Sequence, residues 1–133
     1  MDKYNQIAIC LDHININTKL PDETVDFYSQ VLGFINSPEL RPGGSIPGTW
    51  MFISGKSVLH INFVDNLKDK SFAESTGCID HIAFTAKNSL NIKKTLEEFQ
   101  IPYKLIETKD RHLTQFFFYD PNGIKIELNV HES

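Results

Sequence analysis

Four side chains able to ligate a metal stand at matched places in two halves of this chain. His13 lies in Cys10-Leu11-Asp12-His13-Ile14, and Cys78-Ile79-Asp80-His81-Ile82 sets a second histidine 68 residues on. His60, in Ser57-Val58-Leu59-His60-Ile61-Asn62-Phe63, follows His13 by 47 residues. Glu127, in Gly123-Ile124-Lys125-Ile126-Glu127-Leu128-Asn129-Val130, follows His81 by 46. Three imidazoles and one carboxylate form a donor set for one divalent transition metal per site, and Zn, Ni, Co, Mn or Fe(II) would suit it. The offset is about half of the 133 residues, so the chain reads as two copies of one module.

The segments that must position these residues occur in the same order twice. In the first half, residues 6–16 read as a strand. Pro21-Asp22-Glu23 opens a helix with acidic groups at the positive end of its dipole, Val25, Tyr28, Val31 and Leu32 recur at helical spacing, and Gly33 stops it. Phe34-Ile35 begins a second strand. Residues 37–48 form a loop rich in Pro and Gly, 49–53 a third strand, and a fourth carries His60. Polar residues 65–76 connect the halves. The second half repeats the plan: strand 78–85, then an Asn88-Ser89 cap and a helix with Ile92, Leu96 and Phe99 on one face. Strands follow at 103–106 and 113–119. The turn Asp120-Pro121-Asn122-Gly123 leads into the last strand, which carries Glu127. Each half is thus β-α-β-β-β, with module one at about 6–64 and module two at about 77–131 of a single domain, 1–133.

Side chains alternate across a strand, and the alternation tests whether the four donors share a face. His60 and Asn62 oppose Leu59, Ile61 and Phe63; Lys125, Glu127 and Asn129 oppose Ile124, Ile126, Leu128 and Val130; His13, Asn15 and Asn17 oppose Ile14 and Ile16. His81 shares its face with Ala83 and Thr85, backed by Ile82 and Phe84. Apolar faces suit packing against the helices, and polar faces suit a wet cup. The expected class is α+β: an open, curved mixed sheet, a cup-like half-barrel, with helices outside. A carboxylate such as Glu127 in that cup needs a cation or hydrogen bonds, because an unpaired buried charge is very costly.

Composition narrows the partners. Net charge is −4 with Lys and Arg scattered, which argues against nucleic acid, and no apolar run reaches the roughly 18 residues of a membrane span. The first six residues lack the long apolar core of a signal peptide, and two Cys make no disulfide framework, so a reduced, cytoplasmic setting is expected. Cys10 and Cys78 stand three residues before a candidate ligand and read as core packing. His112 and His131, near a loop and the terminus, read as solvated.

Three stretches carry a resemblance: Val25-Asp26-Phe27-Tyr28-Ser29-Gln30-Val31-Leu32-Gly33-Phe34, Asp80-His81-Ile82-Ala83-Phe84, and Tyr119-Asp120-Pro121-Asn122-Gly123-Ile124-Lys125-Ile126-Glu127. With the double β-α-β-β-β they resemble the vicinal oxygen chelate superfamily, which includes glyoxalase I, extradiol dioxygenases, methylmalonyl-CoA epimerase and the fosfomycin and bleomycin resistance proteins. The resemblance spans essentially the whole chain and implies His13, His81 and Glu127 as metal ligands. His60 takes the place of a glutamate in glyoxalase I and a glutamine in the epimerase, a departure from the two-carboxylate proton shuttle. The glutathione anchors of small glyoxalases would fall on Asn17 and Val64, which argues against glutathione as substrate. The catalytic tyrosine of the extradiol enzymes would fall on Phe117, and His112 is out of register with their preceding histidine.

The resemblance leaves three functional expectations. The first is a metal-dependent lyase or isomerase of glyoxalase type, with the metal also held by His60 and with Glu127 and His60 as catalytic groups. The second is an extradiol-type Fe(II) or Mn(II) dioxygenase using His13, His81 and Glu127. The third is a non-catalytic protein that shelters a small toxic compound or drug. The substrate is a small molecule, and the expected contacts are Asn15, Asn17, Trp50, Asn62, Phe116, Lys125 and Arg41. Phe52 and Phe118 could join that apolar wall or belong to the core, and Arg41 could meet a substrate anion or stay a solvated charge. A homodimer is expected, with the cup closed either within one chain or across the pair.

Overall fold

A computed structural model describes residues 7–65 and 75–132. The first half contains β1 (Ile14–Thr18), α1 (Pro21–Asp26), β2 (Ile35–Asn36), β3 (Gly48–Ile53) and β4 (Lys56–Phe63). The second contains β5 (His81–Ala86), α2 (Ser89–Glu98), β6 (Lys104–Thr108), β7 (Leu113–Tyr119) and β8 (Lys125–His131). Two four-stranded mixed sheets result, ordered β1-β4-β3-β2 and β5-β8-β7-β6. In each, the first strand runs parallel to the last and the other neighbours are antiparallel. The fold is α+β, and neither sheet closes on itself. Much of the connection expected at 65–76 lies outside the described residues.

The alternation places the apolar faces as the sequence requires. Ile16, Met51, Leu59 and Ile61 are buried from the first sheet, and Phe116, Phe118, Ile126, Leu128 and Val130 from the second. All join one core with Phe27, Tyr28 and Phe34 of the first half and Leu96 of α2. The halves interlock: Phe27 packs on Phe118 at 6.0 Å and Phe34 on Phe84 at 5.4 Å between ring centroids. Burying each such side chain stabilises the fold by roughly 1.5–3 kcal/mol.

Polar stitching follows the same seam. In the turn before β8, Asp120 accepts hydrogen bonds from the Asn122 and Ile124 backbone amides, both at 2.8 Å, and Gly123 adopts φ +85°. The buried Tyr28 hydroxyl donates to the same carboxylate at 2.8 Å. Burial, reinforced by the Asp120 charge, pushes the Tyr28 hydroxyl far above its ordinary value. Asn122 bonds to Thr18 at 2.6 Å and Thr24 at 3.0 Å, which carries the seam to the end of β1 and the middle of α1.

Several expected boundaries move. The strand expected at 6–16 begins only at Ile14, and Ile7, Ile9 and Leu11 are exposed. Cys10 and Cys78 are exposed too, contrary to the core packing expected, because both precede the strands rather than lying in them. The first helix is α-helical only to Asp26 and continues as a π-helical turn over Phe27–Val31. Gly33, at φ +78°, ends it as expected. Asn88 caps α2 by accepting from the Asn91 amide at 3.1 Å, and Leu96 is buried, but Phe99 at the C-terminal cap is 43% exposed.

Candidate metal and substrate site

The four candidate donors fall into two pairs, one on the open face of each sheet. On the first, register sets Trp50 of β3 beside His60 of β4, and their rings stack at 4.1 Å, 8° from parallel. His13, one residue before β1, covers the other side of His60 at 3.8 Å and 17°. Burial within this sandwich lowers the proton affinity of His60, and His13 lowers it further. His60 Nε2 is buried without a hydrogen-bond partner among the described residues. Such an orphaned atom costs roughly 1–3 kcal/mol unless something occupies its lone pair or accepts its proton.

On the second face, His81 Nε2 lies 3.4 Å from Glu127 Oε1. The carboxylate is well shielded, its side chain 13% exposed. Its other oxygen, Oε2, accepts from Asn129 Nδ2 at 2.8 Å, and Asn129 Oδ1 in turn accepts from Gln115 Nε2 at 3.0 Å. A short relay from β7 to β8 thus fixes how Glu127 faces His81.

The repeated pentad positions both first histidines alike. Asp12 Oδ1 lies 2.7 Å from His13 Nδ1, and Asp80 Oδ2 lies 2.8 Å from His81 Nδ1. A carboxylate can only accept, so each Nδ1 carries the hydrogen and each Nε2 presents a lone pair when the ring is neutral. The same hydrogen bonds, made to the neighbouring histidines, are the main cause holding both aspartate carboxyls below the usual range. Lys125 Nζ reaches Asp80 at 3.2 Å. A carboxylate behind an imidazole is the usual support of a metal-binding histidine. The sequence carries this signal, since each pentad repeats the aspartate directly before the histidine, although strand alternation does not register it.

Among the described residues, no three His, Cys, Asp or Glu side chains converge as a metal-holding group. Within one chain His13 meets His60 and His81 meets Glu127, while the pairs stay apart. The donor chemistry of the pairs nonetheless fits a divalent cation: imidazoles with oriented Nε2 atoms, one oriented carboxylate, and an orphaned buried nitrogen.

The expected substrate contacts divide. Asn15, Asn17 and Asn62 share the open face with His60, and Arg41 reaches it from the Gly-Pro loop, with Nη2 3.2 Å from Asn62 Oδ1. Trp50 is half-buried against His60. Lys125 is on the face of Glu127 but tied to Asp80. Phe116, by contrast, is 1% exposed and packs on Tyr103 in the core. The alternation of β7 turns Phe116 and Phe118 inward and leaves Phe117, paired in register with Glu127, on the open face. Phe52 is half-buried, and His112 and His131 are exposed. A cavity of about 710 Å³ between the edge strands β1 and β5 is lined by Asn15, Asn17, Asp80 and His81, among others.

Comparison with known proteins places this geometry. The family model "Glyoxalase/Bleomycin resistance protein/Dioxygenase superfamily" matches residues 10–128, nearly the full run of the two repeats. The chain belongs to this superfamily. It is 32% identical over 124 residues to "Glyoxylase I 4" of Arabidopsis thaliana, a match covering 89% of this chain and 68% of that protein. Among solved structures, a glyoxalase/dioxygenase from Nostoc punctiforme superposes with a TM-score of 0.75 at 16% identity, covering 98% and 100% of the two chains. A genomically encoded fosfomycin resistance protein from Listeria monocytogenes gives 0.68 at 16% identity, covering 93% and 94%. Those two likenesses show the fold alone, and different activities sit on it. Among the described residues, no helix is long and apolar enough to cross a membrane.

Proposed function

We propose that this protein is a divalent-metal-dependent lyase or isomerase of glyoxalase type, acting on a small substrate that chelates the metal through adjacent oxygens. The observation that carries the reading is the preparation of donor atoms. Asp80 turns His81 Nε2 toward Glu127 Oε1, Asp12 orients His13 in the same way, and His60 keeps a buried Nε2 without a partner among the described residues. His13, His60, His81 and Glu127 would hold the ion, one of Zn, Ni, Co, Mn or Fe. Bound there, it would supply Lewis-acid polarisation of a substrate carbonyl.

The rest is work for this chain's residues. Glu127, once its Oε1 loosens from the donor set, accepts a proton there from the carbon beside the carbonyl and returns it to the neighbouring position, while Asn129 restrains Oε2. His60, whose proton affinity burial lowers, keeps its Nε2 lone pair for the ion. Trp50 and Phe117 wall the open faces and exclude water. The cavity between β1 and β5 lies in the size range of small-molecule sites. Two copies of the chain would bring the two pairs of donors together, since one copy leaves them apart.

Elemental analysis of wild type expressed with excess metal, beside His60→Ala and Glu127→Ala, tests the reading when paired with assays of α-oxoaldehyde adducts and of oxygen uptake with catechols. About one metal per site in the wild type, lost in the variants, with turnover and no oxygen uptake, is expected. A folded wild type that binds no metal would overturn it in favour of a protein that shelters a small compound.

A further inference from the structure

The open face of the first sheet carries a polar chain that the proton chemistry does not use. Asn62 Oδ1 accepts from Arg41 Nη2 at 3.2 Å, and Asn17 Oδ1 accepts twice, from Asn62 Nδ2 at 2.9 Å and Asn15 Nδ2 at 3.0 Å. The amide oxygens of Asn62 and Asn17 are thereby occupied inside the network. The Asn17 Nδ2 group and the remaining guanidinium N–H groups have no acceptor among the described residues. Nor does any carboxylate there lie within ion-pair distance of Arg41. Within this network Asn15 Oδ1 is the amide oxygen that has no donor among the described residues.

The backbone makes room for this arrangement. A Cβ on Gly48 would stand 3.2 Å from Arg41 Cζ and 2.1 Å from the Ile61 carbonyl oxygen, so the guanidinium lies over a position where only glycine fits. Gly48 pairs with Asn62 in register, and Trp50 with His60. Two residues along a strand span about 7 Å, so the guanidinium sits one pleat from the stacked Trp50 and His60 rings. One cation and two amides suit a singly charged, planar group better than a dianionic phosphate.

We propose that Arg41, Asn62 and Asn17 form a carboxylate-binding subsite, and that the substrate is a small carboxylic acid whose charged end lies one pleat from the oxygens facing His60. The placement of those oxygens rests on the function proposed above; the subsite itself does not. A carboxylate bridging the guanidinium fork and Asn17 Nδ2 would complete the donors the network leaves open. This face of the protein would therefore select anionic over neutral substrates of equal shape.

The test uses the whole 133-residue chain, metal-free and labelled with ¹⁵N, titrated with sodium propionate, with propionamide as the neutral isostere and sodium chloride as the ionic control. Expected are saturable shifts of the Asn17 and Asn62 side-chain amides and of Arg41 Nε with propionate alone. Arg41→Gln should weaken propionate binding at least tenfold with the rest of the spectrum unchanged, and Arg41→Lys should recover only part of it by keeping charge without the fork. Equal response to propionamide or chloride, no saturable shift, or undiminished binding by Arg41→Gln would each overturn the subsite. Because no metal is present, such a failure is distinct from an empty metal site, which the elemental analysis reads separately.

Discussion

An imidazole binds a cation through one nitrogen, and what the other nitrogen does decides whether that lone pair is available. Asp12 and Asp80 settle this for His13 and His81, at 2.7 and 2.8 Å from their Nδ1 atoms. Removing such a support behind a metal-binding histidine typically costs about 10–100-fold in metal affinity or activity. Asp12→Ala and Asp80→Ala should each lower metal affinity by roughly that factor, measured by competition with a chromophoric chelator. Lys125 holds Asp80 rather than His81 itself, at 3.2 Å, so Lys125→Ala should weaken the metal less than Asp80→Ala does. ¹⁵N shifts of the apoprotein supply a second readout, since loss of Asp80 should move the His81 proton from Nδ1 toward Nε2. Unchanged affinity together with an unchanged tautomer would mean that the aspartates are incidental neighbours.

At the scale of elements, strand parity was legible because β4 and β8 carry alternating patterns that a core on one side enforces. The parity of β4 and β8 put His60 and Glu127 on open faces, as found. The run Phe116-Phe117-Phe118 was harder to read, since three identical residues carry no alternation of their own. Its register comes from Gln115 and Tyr119, and that places Phe117 outward. The strand expected at 6–16 failed for another reason: Ile7, Ile9 and Leu11 alternate as a strand would, yet a strand also needs a neighbour, and within one chain they are 94%, 80% and 72% exposed. The Tyr28–Asp120 bond was not legible at all, because it joins α1's continuation to a turn 92 residues away. It makes a prediction about stability. Burial raises the folded-state pKa of Tyr28, so its proton is retained in the fold and released on unfolding. That contribution is present below about pH 10 and is lost as pH rises past that value. Tyr28→Phe should cost about 1–3 kcal/mol at neutral pH by leaving Asp120 short of a donor. It should also flatten the alkaline loss of stability, as read from urea midpoints on either side of the tyrosine titration. Parallel pH profiles for the two proteins would remove Tyr28 from the account.

For the whole molecule, what matters is that the described residues of one chain hold the candidate donors as two separate pairs, with no three of them converging. His13 with His60 faces one way on the first sheet, His81 with Glu127 stands on the second, and exposed apolar residues flank the first strands of both, Leu11 at 72% and Ile79 at 66%. Two copies related by a two-fold axis would present the first half of one chain to the second half of the other, giving two equal sites. This arrangement can be separated from any single-chain site by complementation. One variant carries His13→Ala with His60→Ala, the other His81→Ala with Glu127→Ala, and each alone should bind no metal. Mixed and re-associated, a pair holding one of each has one site with both halves intact and one with both destroyed. Random association makes about half of all dimers mixed, so metal content and activity should return to roughly a quarter of the wild-type value. A site built within one chain would return nothing, because each variant lacks half of it, whatever partner it meets.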